Sequence, residues 1–281
     1  MKNILLIGAG RSTISLIDYL IDNLEKEDWN LTVADQNIDF AKSKIGSNSR
    51  TSAIQFDVNN EEQRSKEIGN ADIIISMLPA HMHISVAKDC IKFKKNMVTA
   101  SYVSKEMRAL ESEAIKNGVT IINEIGVDPG IDHLSAMKVI DEIRAVGGEI
   151  LEFETFTGGL VAPESDDNPW NYKFTWNPRN VVLAGQGGAV KFIQSGTYKY
   201  IPYHKLFRRT EIIEVEGYGK FEGYANRDSL MYRSVYNLED VKTMYRGTLR
   251  RPGFSRAWNV FVQLGATDDS YTIANSDELT F

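Results

Sequence analysis

Gly8-Ala9-Gly10-Arg11-Ser12-Thr13 is the first stretch whose residue types could do chemistry. It follows an apolar run, Lys2 to Ile7, and precedes Ile14 to Leu24, whose apolar residues fall at helical spacing. Gly8 permits a tight turn, and Gly10 lets the backbone approach a pyrophosphate seated on a helix N-terminus. Thr13 stands where the dinucleotide fingerprint has its third glycine, which weakens the match at the point of close helix–strand packing. Asp35 ends the next strand, Leu31 to Ala34, about twenty residues on, as the fingerprint requires. An acid there accepts hydrogen bonds from the ribose hydroxyls and repels a 2′-phosphate, so NAD is the expected cofactor and NADP the alternative. Lys42 and Lys44 could meet a phosphate, although solvated helix-face charge is the plainer reading of both. Asp57-Val58 closes the strand Ser52 to Phe56 where an adenine is met, and Leu78 follows the β-branched strand Asp72 to Met77. The cofactor-binding candidates are therefore Gly8, Gly10, Arg11, Ser12, Thr13, Asp35, Asp57, Val58 and Leu78.

A second stretch with chemical content runs from Asn123 to His133. It lies between a β-branched run, Val119 to Ile122, and a helical pattern, Leu134 to Ala145, and so reads as a strand-to-helix turn. Ligands bind at such turns, beyond the carboxyl ends of parallel strands. Pro129 presets φ, Gly130 permits positive φ, and Asp132 is placed to cap the helix. Asp128 is the candidate for proton transfer or for anchoring an amine, and a turn residue is its bland alternative. His81 and His83 open a helix two residues apart, where their side chains diverge; no metal site is expected of them.

The elements that must hold these residues form a βαβ series. Strands at Asn96 to Ala100 and Val119 to Ile122 flank a helix that runs from the Ser104 cap to about Asn117. The expected class is α/β: a Rossmann-type doubly wound parallel sheet over residues 1–127. A second, α+β domain with a mixed or antiparallel sheet follows over 128–281. Its expected strands are Ile150 to Thr157, Ala189 to Ile193, Tyr198 to Pro202, Thr210 to Val215, Phe221 to Ala225 and Leu238 to Leu249, with a helix at Arg256 to Leu264. Val181 to Gly188 reads as a short element and a glycine-rich turn, and Trp170, Tyr172, Phe174 and Trp176 alternate like one buried strand face. The chain of 281 residues carries 32 basic and 38 acidic side chains and no basic tract, which gives no support for nucleic acid or a membrane surface as partner. One cysteine, Cys90, excludes an internal disulfide and suits a reducing, cytoplasmic setting.

Several motifs together resemble the saccharopine dehydrogenase/reductase family. They are Gly8-Ala9-Gly10, Leu78-Pro79-Ala80, Val98 to Ser104, Glu124 to His133, Asn168 to Arg179, Asn226 to Ser229 and Arg246 to Arg250. The resemblance is to the glutamate-forming branch. It implies an NAD(P)-dependent oxidoreductase of lysine metabolism that interconverts saccharopine with L-glutamate and 2-aminoadipate 6-semialdehyde. In that chemistry hydride leaves a carbon next to nitrogen, an imine forms, and water hydrolyses it. Carboxynorspermidine or lysine 6-dehydrogenase chemistry, or a nucleotide-binding protein without turnover, are the alternatives. The resemblance also implies a small amino-acid substrate, a homodimer, and substrate binding by Arg227 with Ser101, Tyr102, Asp128 and Thr248 around it. Three carboxylates on saccharopine suit arginine forks, so Arg246, Arg250 and Arg251 are further candidates, and Lys173 is an acid/base group or a solvated charge. Fungal members of the branch carry a basic residue after the second strand and use NADP, whereas Asp35-Gln36 stands here. Members are also longer, so the second domain is expected to be incomplete and the chain not competent by itself.

Overall fold

Short stretches rich in buried apolar residues make the central strands of the first half. The computed structural model describes residues 1–184 and 188–280. The chain divides into two compact units, Met1–Leu134 and Ser135–Phe281. The first unit alternates strand and helix: β1 (Lys2–Ile7), α1 (Ile14–Asn23), β2 (Trp29–Asp35), α2 (Ile38–Ile45), β3 (Thr51–Gln55), α3 (Glu61–Asn70), β4 (Ile73–Ser76), α4 (His83–Phe93), β5 (Asn96–Thr99), α5 (Lys105–Ala109), α6 (Glu111–Asn117) and β6 (Ile121–Ile122). The strands form one parallel sheet in the order β3-β2-β1-β4-β5-β6, so the order reverses between β1 and β4. Successive residues of β1 point to opposite faces. Leu5 and Ile7 join a core with Ile74, Val86, Cys90 and Met97, while Ile4 and Leu6 join another with Ile17, Leu20, Leu31 and Val33. Helices therefore cover both sides, and the Rossmann-type class expected from the sequence is what the chain forms.

Side-chain caps fix three of the helix starts in this unit. Asn37 accepts from the Asp39 N–H, Asn60 from Gln63, and Ser104 from Met107. The helix face read at Lys42 and Lys44 belongs to α2, whereas α3 has no sequence counterpart because its polar residues hide the apolar spacing. The helix expected from Ser104 to Asn117 is two helices that meet at Leu110, whose N–H bonds the Met107 carbonyl.

In the second half, α7 (Ile131–Ala145) is followed by β7 (Glu152–Thr157), α8 (Pro178–Val182), β8 (Val190–Gln194), β9 (Thr197–Ile201), α9 (Tyr203–Leu206), β10 (Glu211–Val215), β11 (Gly219–Ala225), β12 (Thr243–Arg250) and α10 (Phe254–Gln263). The sheet runs β10-β11-β12-β8-β9 with antiparallel pairs, and β7 adds to β12 in parallel. This is the mixed, mostly antiparallel sheet of the expected α+β domain. Its core gathers Val190, Phe192, Tyr224, Tyr245 and Phe254. The stretch expected as a strand at Trp170 to Trp176 is irregular instead. Trp170, Phe174 and Trp176 are exposed, and only Tyr172 packs on the core. Alternation of aromatic residues did not make a strand here, because no strand among the described residues pairs with the segment. The glycine-rich turn expected at Gly185-Gln186-Gly187 lies outside the described residues. The last helix begins two residues earlier than its local sequence suggests. The buried Glu222 carboxylate, on β11, accepts from the Gly253 and Ser255 N–H groups at 2.8 and 2.5 Å and caps it from a distance.

Candidate active site

The glycine loop sits where the strand order reverses. Gly8 has φ +104°, and a Cβ there would lie 2.9 Å from the Met77 carbonyl oxygen, just past β4. Only glycine fits that approach. Nothing lies within 4 Å of the position a Cβ would take on Gly10, so the loop is open where a pyrophosphate is expected. Thr13, in the place of the third glycine, is buried and donates its hydroxyl to the Gly10 carbonyl at 2.8 Å. The replacement thus tightens the loop instead of prising helix from strand. Arg11 and Ser12 are exposed on the short 3-10 turn that leads into α1. Asp35, at the end of β2, accepts from the Ala9 N–H at 2.7 Å and the Asn37 N–H at 2.8 Å, which fixes both carboxylate oxygens beside the loop. These residues fit a dinucleotide: an open glycine turn, a helix N-terminus behind it and an acid at the ribose position.

Lys44 departs from its expected role as a solvated charge. It is half-buried, and its Nζ reaches back to the Ala9 carbonyl at 2.5 Å, to the Gly10 carbonyl, and to Thr13 Oγ1 at 3.3 Å. Burial lowers its pKa, and the Asp35 charge opposes that shift. Lys42 is exposed, as expected. On the adenine side, Asp57 is exposed, while the Val58 side chain is buried and its carbonyl takes Arg64 Nη1 at 2.6 Å. Arg64 is held in turn by Asp89 at 2.7 Å, a buried ion pair between α3 and α4. Leu78 packs partly on the core just after β4.

Beyond β5 and β6 lies the second group of candidates. The Tyr102 hydroxyl bonds Asp128 Oδ1 at 2.6 Å, so two residues separated by 26 positions are brought together. Around them the backbone closes on itself. The Gly126 N–H donates to the Pro129 carbonyl and the Ile131 N–H to the Gly126 carbonyl, with Asp128-Pro129 in the cis form. A side chain on Gly130 would collide with Gly126. Asp132 lies inside the first turn of α7 rather than ahead of it, and its Oδ1 takes the Gly130 N–H at 2.7 Å. Glu124 accepts from the Val103 N–H at 3.0 Å and faces His133 Nε2 at 3.2 Å, a second acid–base pair beside the first.

Ser101 is held by His83, one of the two histidines that open a helix. His83 is 2% exposed; its Nδ1 lies 2.9 Å from Ser76 Oγ and its Nε2 2.7 Å from Ser101 Oγ. Burial, with a smaller contribution from the charge of His81, pushes its pKa down to about 4. The ring is therefore neutral near pH 7, with one nitrogen donating and the other accepting. A serine ending β4 and another two residues past the end of β5, with a histidine opening the helix between them, was the signal available for this chain of bonds.

Arg227 and Thr248 lie in the second unit. Arg227 is exposed in the turn after β11, with φ +48°, and its carbonyl accepts from the Lys191 N–H at 2.9 Å. Thr248 sits on β12, paired with Tyr224 on one side and Thr157 on the other. Arg246 is 3% exposed and stacks over the Tyr232 ring at 4.4 Å, and Arg250 lies over Tyr172 and Phe254. Lys173 pairs with Asp167 at 2.7 Å on the surface. Among the described residues, no helix is long and apolar enough to cross a membrane.

Two domain families match the chain: the saccharopine dehydrogenase NADP binding domain over residues 4–122 and the saccharopine dehydrogenase C-terminal domain over 126–279. The chain is 38% identical over 268 residues to a protein of Saccharomyces cerevisiae named saccharopine dehydrogenase [NADP(+), L-glutamate-forming], covering 95% of this chain and 59% of that one. It is 35% identical over 302 residues to the alpha-aminoadipic semialdehyde synthase of Arabidopsis thaliana, with 100% of this chain and 28% of that protein covered. The solved structure of the apo, L-Glu forming saccharopine dehydrogenase from Saccharomyces cerevisiae superposes with a TM-score of 0.85 at 37% identity, covering 97% of this chain and 60% of that one. The chain thus spans about three fifths of the yeast protein it matches.

Proposed function

The chain belongs to the saccharopine dehydrogenase family, and from that premise we propose that it is an oxidoreductase of the glutamate-forming branch, acting on the CH–NH group of saccharopine. The products in the oxidative direction are L-glutamate and 2-aminoadipate 6-semialdehyde. The observation that carries the reading is the Tyr102–Asp128 pair beyond the ends of β5 and β6, in a chain 38% identical to L-glutamate-forming relatives. A nicotinamide dinucleotide, when bound at the glycine loop, supplies or accepts the hydride. NADP is the form we favour over the NAD expected from Asp35, because the N-terminal domain family and the fungal relatives are both named for NADP. Functionally, residues 1–127 serve the dinucleotide, with Ser101 and Tyr102 lent to the substrate, and 128–281 serve the substrate.

The chain's own residues divide the remaining work. Asp128, oriented by the Tyr102 hydroxyl, holds the substrate amine or takes its proton. Ser101, held by His83, offers a hydroxyl beside them. Arg227 binds a substrate carboxylate, with Thr248 as a polar partner. A homodimer in the cytoplasm completes the proposal; the single, buried thiol of Cys90 supports a reducing compartment. The test is a steady-state assay on this chain with saccharopine and NADP, read at the nicotinamide absorbance, with lysine and carboxynorspermidine as competing substrates. Saccharopine-dependent reduction is expected, slow because the second domain is expected to be incomplete. Turnover of another amine in its place, or dinucleotide binding with neither binding nor turnover of saccharopine, overturns the reading.

A further inference from the structure

We propose that Lys44 is the cation that admits a 2′-phosphate to this site, against the charge of Asp35. The inference rests on the dinucleotide reading above and deepens it. Asp35 ends β2 at the ribose position with its carboxylate fixed by two backbone N–H groups. Left alone, that charge repels a 2′-phosphate. The position after it is Gln36, so no basic residue directly follows the strand. Lys44 supplies the charge from elsewhere. It stands in the last turn of α2, and its side chain runs back across the helix to the loop, where Nζ meets the Ala9 and Gly10 carbonyls and approaches Thr13 Oγ1 at 3.3 Å. Ala9 is also the residue whose N–H the Asp35 carboxylate accepts, so acid and ammonium address opposite ends of one peptide segment. A half-buried ammonium seated on carbonyl oxygens has lost water, the charges of Asp35 and Asp18 offset only part of that cost, and the lowered pKa records the balance. A dianionic phosphate entering beside Asp35 adds a further counter-charge, with Arg11 exposed on the same loop as a second cation.

The competing account is that Lys44 is an internal strut tying α2 to the glycine loop. A strut supports every adenine nucleotide equally; a phosphate-recognising cation supports only those that carry the 2′-phosphate. The experiment compares wild type, Lys44→Gln and Lys44→Arg by calorimetric titration with 2′,5′-ADP against 5′-AMP, and by fluorescence titration with NADPH against NADH. Thermal unfolding of each variant is followed alongside. We expect Lys44→Gln to weaken 2′,5′-ADP and NADPH by about tenfold or more, with 5′-AMP and NADH changed less than about twofold. Lys44→Arg should retain most of the 2′-phosphate preference, and salt should weaken 2′,5′-ADP binding to the wild type more than to Lys44→Gln. Equal loss for both members of each pair, or no loss for either, overturns the assignment while leaving the dinucleotide reading standing. A wild type that binds neither NADH nor NADPH overturns both.

Discussion

Acid should destabilise this protein through His83, by an amount that can be worked from its environment. The imidazole is 2% exposed, between Ser76 and Ser101, and its pKa falls from 6.5 to about 4 because burial penalises the charged form. The folded-state value is depressed, so the unfolded chain binds the proton more readily. Stability is then full above the unfolded pKa and lost as pH falls from about 6.5 towards about 4. Between about pH 7 and about pH 5 the His83 contribution is a loss of about 2 kcal/mol, at roughly 1.4 kcal/mol per unit of separation. Protonation need not break the two hydrogen bonds, since each serine oxygen can accept; desolvation carries the effect. The assay is urea unfolding of wild type and His83→Gln at both pH values. The variant is expected to be less stable near pH 7, by about 1–3 kcal/mol, because a serine hydroxyl is left without its partner. It is expected to lose about 2 kcal/mol less than the wild type on acidification. The difference between the two proteins reports the His83 contribution together with its smaller coupling to His81. Equal losses in the two proteins, or a His83 ring resonance in NMR that titrates near its ordinary value, would refute the reasoning.

Three further outcomes are expected. Asp89→Ala leaves the Arg64 guanidinium buried without its 2.7 Å partner and should cost about 3–5 kcal/mol in urea unfolding, whereas replacing both residues with leucine should cost less; equal costs would remove the ion pair from the account. Gly8→Ala places a methyl group 2.9 Å from the Met77 carbonyl at φ +104°, and NADPH titration should show binding reduced by at least about tenfold in a protein whose circular dichroism is native. Arg227→Ala should raise the KM for saccharopine by a factor equivalent to about 1.5–3 kcal/mol with dinucleotide affinity unchanged; an unaltered KM would take Arg227 out of the substrate site.

The sequence by itself determined the parallel sheet, because its signals are local. β-branched runs, glycines directly after β1 and an acid closing β2 are set by spacing within one βαβ unit, and Gly8, Gly10 and Asp35 stand in the structure where that spacing puts them. The family was legible for the same reason, since its motifs are contiguous stretches. Tertiary structure alone decided which distant side chains meet. Tyr102 finds Asp128, His83 finds Ser101 and Ser76, and Glu222 caps a helix more than thirty residues on. Each of those bonds depends on how strand ends align across a sheet, a quantity with no period in the chain. Lys44 shows the contrast within a single residue. As sequence it is one more charge on the face of α2; in the fold the packing of α2 against β2, β3 and α1 carries its ammonium onto the glycine loop, where burial and the neighbouring Asp35 set its chemistry. The aromatic stretch at Trp170 to Trp176 failed as a strand for the complementary reason: alternation supplies a face, but a strand also needs a neighbour to bond, and only the assembled sheet assigns one.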